Sequence, residues 1–148
     1  MKTIELRAPT VTTDYYRSAK GMPVIVCTNS SRTWKRISDA GYHELRVNLS
    51  LSKALLQYKP EERALYVEKE MHKLLAKPEL ILVTDFEMLF DPRYKIDVLK
   101  IFCDRARQYP LIVKWPGSVS LSKLIYGEFG NPDYYEYDCA NNQVVIVR

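Results

Sequence analysis

Glu79–Pro92 reads ELILVTDFEMLFDP, and the fold follows from this stretch. Leu80, Ile81, Leu82 and Val83 form an unbroken apolar run that leads straight into Thr84, Asp85, Phe86 and Glu87. A strand without polar alternation is one buried on both faces, as in a parallel sheet. A carboxylate at the C-terminal end of such a strand stands where open α/β sheets bind ligands. In phosphoryl-transfer sites an Asp so placed holds Mg²⁺ and a nearby acid orients water. Asp85 is thus the candidate metal ligand and Glu87 the candidate catalytic residue.

Working outward, strand and helix patterns alternate. Pro23–Cys27 (PVIVC) predicts a strand, Thr28–Ser31 a loop, and Thr33–Ala40 a short helix that Gly41 ends. Leu45–Leu49 alternates as a second strand would, and Ser50–Tyr58 predicts a helix. Pro60, Glu61 and Glu62 suit a helix start. Ala64, Val67, Met71, Leu74 and Leu75 then share one stripe, and Pro78 closes the helix. After the Leu80–Thr84 strand, Asp91-Pro92 has the form of a cap followed by a first helical residue. Leu99, Phe102, Cys103 and Ala106 supply the next stripe, and Leu111–Trp115 a fourth strand. Tyr134–Asp138 and Gln143–Arg148 predict a C-terminal β-hairpin turning at Ala140-Asn141-Asn142. The expected class is α/β, a three-layer sandwich with a mostly parallel sheet. The 148 residues fit a single domain over 1-148, with 1–20 as lead-in and 118–148 as a β-rich tail.

A strand, a loop and a helix upstream of an Asp-tipped strand invite comparison with the phosphate loop G-x-x-x-x-G-K-[ST]. Its spacing falls on Val26, Ser31, Arg32 and Thr33. Both glycines are absent, Arg stands for Lys, and the hydroxyl is kept. Glycine permits the positive φ and close backbone approach that let N–H groups converge on phosphate, and β-branched Val does neither well. Arg keeps the charge without the compact ammonium. Asn29, Ser30, Ser31, Arg32 and Thr33 are the candidate nucleotide-binding residues, and Thr33 with Asp85 the candidate Mg²⁺ ligands. Efficient hydrolysis of ATP or GTP is not expected from such a loop. Binding of ATP or GTP with Mg²⁺, or of no cofactor at all, both remain open at this point.

Composition narrows the remaining classes. At 47% hydrophobic and 27% charged, with no apolar run long enough to span a bilayer, the chain predicts a soluble cytoplasmic protein without membrane contact. Cys27, Cys103 and Cys139 include no CxxC pair, and His43 and His72 have no ligand-spaced neighbours, which argues against zinc. The net charge of +4 permits contact with DNA, for which Arg32, Lys35 and Arg36 are the candidate residues. Eleven tyrosines are many, and tyrosine is enriched at interfaces, so Tyr126, Tyr134 and Tyr135 are candidate partner-binding residues.

Four segments carry a family resemblance. VNLSLSKALLQYKPEER (Val47–Arg63), VTDFEMLFDPRYKIDVLKIF (Val83–Phe102), VKWPG (Val113–Gly117) and LIYGEFGNPDYYEY (Leu124–Tyr137) resemble the BrxF family. These are the small P-loop-containing proteins of type 3 BREX systems, which defend bacteria against phage. The resemblance runs from about Pro23 to Tyr137 and is most specific at Asp85–Pro92 and Tyr126–Tyr137. It implies a P-loop NTPase-like fold and other phage-defence proteins as partners, and a homo-oligomer is expected only by analogy with the like subunits common among P-loop proteins. The family's Walker B Asp would be Asp85, which is kept, and Glu87 the acid after it. Where the family would carry its phosphate loop this chain departs from the consensus, so the resemblance implies an accessory role rather than vigorous hydrolysis. An active Mg-dependent NTPase and a DNA-contacting accessory protein are the alternatives.

Overall fold

The computed structural model describes residues 3–139 and 143–148. Four short apolar segments make the centre of the sheet: β2 (Val24–Val26), β4 (Ile81–Thr84), β5 (Leu111–Lys114) and β9 (Val145–Val147). β2 and β9 are buried at every residue, as strands covered on both faces must be. Two more exposed strands close the edges, β1 (Ile4–Leu6) and β3 (His43–Arg46). The order is β1-β9-β2-β5-β4-β3, and every pairing is parallel.

Helices cover both faces. On the front, α1 (Thr13–Ser18) and α2 (Ser31–Asp39) place Tyr16, Ile37 and Ala40 against Val24, Val26, Ile112, Val145 and Val147. On the back, α3 (Val47–Leu55), α4 (Arg63–Leu75) and α5 (Val98–Ala106) pack on Ile25, Val83, Val113 and Ile146. Strand alternation divides the residues between the two cores, since successive side chains point to opposite faces. A second sheet, β6 (Ser118–Ser120), β7 (Lys123–Tyr126) and β8 (Tyr135–Asp138), is antiparallel and adds Leu124, Tyr126, Tyr135 and Tyr137 to the back core. Among the described residues no helix is long and apolar enough to cross a membrane.

The α/β class, the mostly parallel sheet and the helices on both faces match expectation. Several elements differ. The lead-in is part of the sheet, because Ile4–Leu6 pairs with Val145–Val147 and Arg148 ion-pairs with Glu5 at 2.9 Å. The second strand stops at Arg46, and α3 begins at Val47, because Val47, Leu51 and Leu55 bury one helical stripe. Asp91 does not cap a helix. Its carboxylate accepts from the Arg93 backbone N–H and guanidinium, closing a turn, and that pairing holds its pKa below the usual range. The cap of α5 is Asp97, which accepts from Lys100 N–H at 3.0 Å. The expected hairpin of Tyr134–Asp138 with Gln143–Arg148 does not form: Tyr135–Asp138 pairs antiparallel with β7 instead. Val145–Val147 inserts between β1 and β2, and the expected turn at Ala140-Asn141-Asn142 lies outside the described residues.

Tyr16 marks an imperfection in the front core. It is fully buried, and its hydroxyl has no partner among the described residues, while burial pushes its pKa up to about 12. A buried hydroxyl without a partner costs free energy that phenylalanine avoids. Tyr16→Phe should therefore raise stability by about 1 kcal/mol in urea unfolding, whereas a loss of that size would show that the hydroxyl is satisfied.

Candidate functional site

Because every strand of the large sheet is parallel, the residues after β2, β4 and β5 all emerge along one edge. The loop Cys27–Ser30 runs from β2 into α2 at this edge, and Asp85 follows β4 there. β5 lies between β2 and β4, so the two strands sit about 10 Å apart.

The loop is closed by its own neighbours. Trp34 Nε1 donates to the Thr28 carbonyl at 3.1 Å, Thr28 Oγ1 accepts from Ser30 N–H at 3.2 Å, and Cys27 Sγ contacts the Gly117 carbonyl at 3.4 Å. Positive φ among the described non-glycine residues occurs only at Asp85, Lys95, Leu121 and Ser122. No residue of Val26–Thr33 adopts it. An anion nest needs residues alternating between the right- and left-handed regions so that successive N–H groups converge. This loop does not build one.

The expected site residues are placed as follows. Asn29, Ser30, Ser31 and Arg32 are exposed at the start of α2, while Thr33 is buried beneath it. Asp85 is exposed, with φ of 48°, and its carboxylate faces Arg46 Nε at 3.4 Å. Its carbonyl accepts from Asn48 N–H at 2.6 Å, which holds the strand end to α3. Glu87 opens the short turn Glu87–Phe90 and lies toward the small sheet, where its charge, after burial and Asp133, adds to the raised pKa of Tyr126. Among the described residues no group of three or more His, Cys, Asp or Glu side chains is placed to hold a metal. A buried Thr33, an Asp85 turned to Arg46 and a loop without a nest do not fit a phosphate-bound Mg²⁺.

The other candidates divide similarly. Arg36 donates to the Pro9 and Val11 carbonyls at 3.1 and 3.0 Å, and Lys35 pairs with Asp39 at 3.0 Å. Two of the three cations considered for DNA thus join parts of this chain, and Arg32 stays outward. Tyr126 stacks on Phe90 at 4.1 Å, and Tyr135 lies 5.0 Å from the same ring. Tyr134 faces the other way: it donates to Glu136 at 2.9 Å and meets Phe129 edge-on at 5.6 Å. Phe129 is 89% exposed and Leu121, at the tip of the β6–β7 hairpin, 91%.

A cleft on the front face escaped the sequence reading. It holds about 270 Å³ between α2 and strands β3–β5, and Trp34, Tyr42, Glu44, Leu82, Thr84 and Lys114 line it. Thr84 Oγ1 donates to Glu44 Oε2 at 2.6 Å, and Lys114 Nζ lies 5.2 Å from the Trp34 ring centroid. Strand register assembles these groups. Arg46 pairs with Thr84, and Thr84 and Lys114 follow the Val83–Val113 pair on adjacent strands. Thr84 and Lys114 carry no local sequence signal for this cleft, since their neighbours are set by pairing across distant segments.

No protein-family model, no curated protein and no solved structure matches the chain.

Proposed function

We propose that this chain is a P-loop-like accessory subunit that acts by docking to other proteins rather than by hydrolysing nucleotide, in an antiphage assembly of the BREX type. The observation that supports the loss of hydrolysis is the loop itself: Val26–Thr33 has the spacing of a phosphate loop but no left-handed residue, and Trp34 closes on Thr28. The strand-loop-helix unit and the Asp-tipped strand at one sheet edge are the parts a P-loop ancestor would leave behind. The defence setting rests on the resemblance of the four segments to BrxF.

Docking is best served by the small sheet. Tyr126 and Tyr135 belong to its inner side, so the outward apolar groups are Phe129, Leu121 and the half-buried Tyr134. Exposed aromatics of this kind are typical interface residues. Phe129→Ala combined with Tyr134→Ala should abolish copurification with tagged proteins of a type 3 BREX system and leave the thermal unfolding midpoint nearly unchanged. Undiminished copurification would exclude this surface.

A further inference from the structure

We infer that the front cleft binds the guanine ring of a free guanosine nucleotide. Two preset groups and one movable cation carry this. The Trp34 indole offers a planar wall, held in orientation by its bond to Thr28. The Glu44 carboxylate is held through Oε2, which accepts from the Thr84 hydroxyl at 2.6 Å and lies 4.0 Å from Arg46 Nε, so Oε1 is the oxygen turned to a ligand. The Lys114 ammonium lies over the Trp34 ring at 5.2 Å, and it swings off that face toward O6 and N7 when the base stacks. Groups oriented before binding lose little freedom when a ligand arrives. The 270 Å³ lies just below the size range of pockets for drug-like ligands, which suits one ring system with its sugar and phosphate outside.

Chemistry selects the ring. A planar wall favours stacking, worth about 1–3 kcal/mol per base where aromatic side chains bind nucleic acid, and is indifferent to which base. Glu44 accepts only, so it needs N–H donors. Guanine offers two on one edge, N1–H and the 2-amino group. Lys114 donates only, and guanine presents O6 and N7, a pair that lysine recognises. Adenine lacks the N1–H and has no ring carbonyl. Cytosine pairs a single amino group with acceptors, and uracil sets one N–H between two carbonyls. Leu82 at the floor gives the apolar contact.

The cleft adjoins the Val26–Thr33 loop through Trp34, but its recognition groups Glu44 and Lys114 lie on strands outside that loop, so it does not depend on the proposed function. Tryptophan fluorescence reads it directly, because Trp115, the other indole, is 5% exposed within the back core. Titration with guanosine 5′-monophosphate should quench Trp34 saturably with a Kd of about 0.1 mM or tighter, and adenosine 5′-monophosphate should bind at least about tenfold more weakly. Glu44→Gln keeps an acceptor for Thr84 but loses the charge, and should weaken guanosine monophosphate at least about tenfold. Lys114→Met should weaken it as well, and Arg32→Ala should leave it unchanged. No saturation up to about 5 mM, equal affinity for the adenine nucleotide, an unaffected Glu44→Gln, or loss in Arg32→Ala would each overturn the assignment. Should Lys114→Met fail to fold, the comparison of wild type with Glu44→Gln decides alone.

Discussion

Gly117→Ala is expected to cost about 3 kcal/mol or more, although it adds one methyl group. A Cβ at this position would stand 1.8 Å from the Ile125 carbonyl oxygen, 2.9 Å from its carbon and 3.0 Å from Trp115 Nε1. The obstacle is backbone, and that backbone is committed: Trp115 Nε1 donates to the Ile125 carbonyl at 3.0 Å. Relief requires β7 to move away, which breaks this bond and lifts Leu124 and Tyr126 from the core. Gly117 is therefore required by close approach, not by φ. Urea unfolding of the variant measures the loss. A change below about 0.5 kcal/mol would mean that the hairpin is not seated on Trp115 as described.

Phe90→Ala should be comparably severe, with a loss of about 3–5 kcal/mol. Phe90 is fully buried and touches four rings: Phe86 at 5.8 Å, Trp115 at 5.7 Å, Tyr126 at 4.1 Å and Tyr135 at 5.0 Å. Truncation removes transfer free energy and leaves a cavity that flat, interlocked rings fill poorly. It also removes one of the contacts that seat the small sheet on the back core, beside the Trp115–Ile125 bond. A loss below about 1.5 kcal/mol in chemical unfolding would show that the cluster is loosely packed. The same geometry explains why Tyr135 is unsuited to testing docking: its truncation would disturb the core.

What the sequence made legible follows from how local each signal is. β2, β4 and β5 are short apolar runs rich in β-branched residues and bounded by loop residues, a local signal, so they could be read directly. The α4 stripe and the Gly41 stop are equally local, with Gly41 at φ of 96° after α2. β1 and β3 were harder. His43–Arg46 is polar on an edge, and Ile4–Leu6 depends on pairing with residues at the far end of the chain. Val145–Val147 repeats the Val-Ile-Val of β2 and carried the same sign of a central strand. A nearby turn-like Asn-Asn outweighed it, although the pairing that wins is non-local. At Asp91 the local cap pattern competed with Arg93, which takes the carboxylate for a turn.

The site was legible in position and not in detail. An Asp at the tip of β4 and a cation at the start of α2 were both found. The Arg46–Asp85 pair and the burial of Thr33 depend on side chains from separate segments, as does the row of Arg46, Thr84 and Lys114. Spacing preserved the appearance of a phosphate loop. The backbone angles, which only the fold reveals, remove its anion nest.

The most direct test of this account is calorimetric titration of the wild-type protein and Arg32→Ala with ATP and Mg²⁺. The account predicts no binding to either protein tighter than about 1 mM, because no residue of Val26–Thr33 takes the left-handed conformation of a phosphate loop and Asp85 faces Arg46. Micromolar binding to the wild type that disappears in Arg32→Ala would contradict it, and would make the altered loop a working phosphate site.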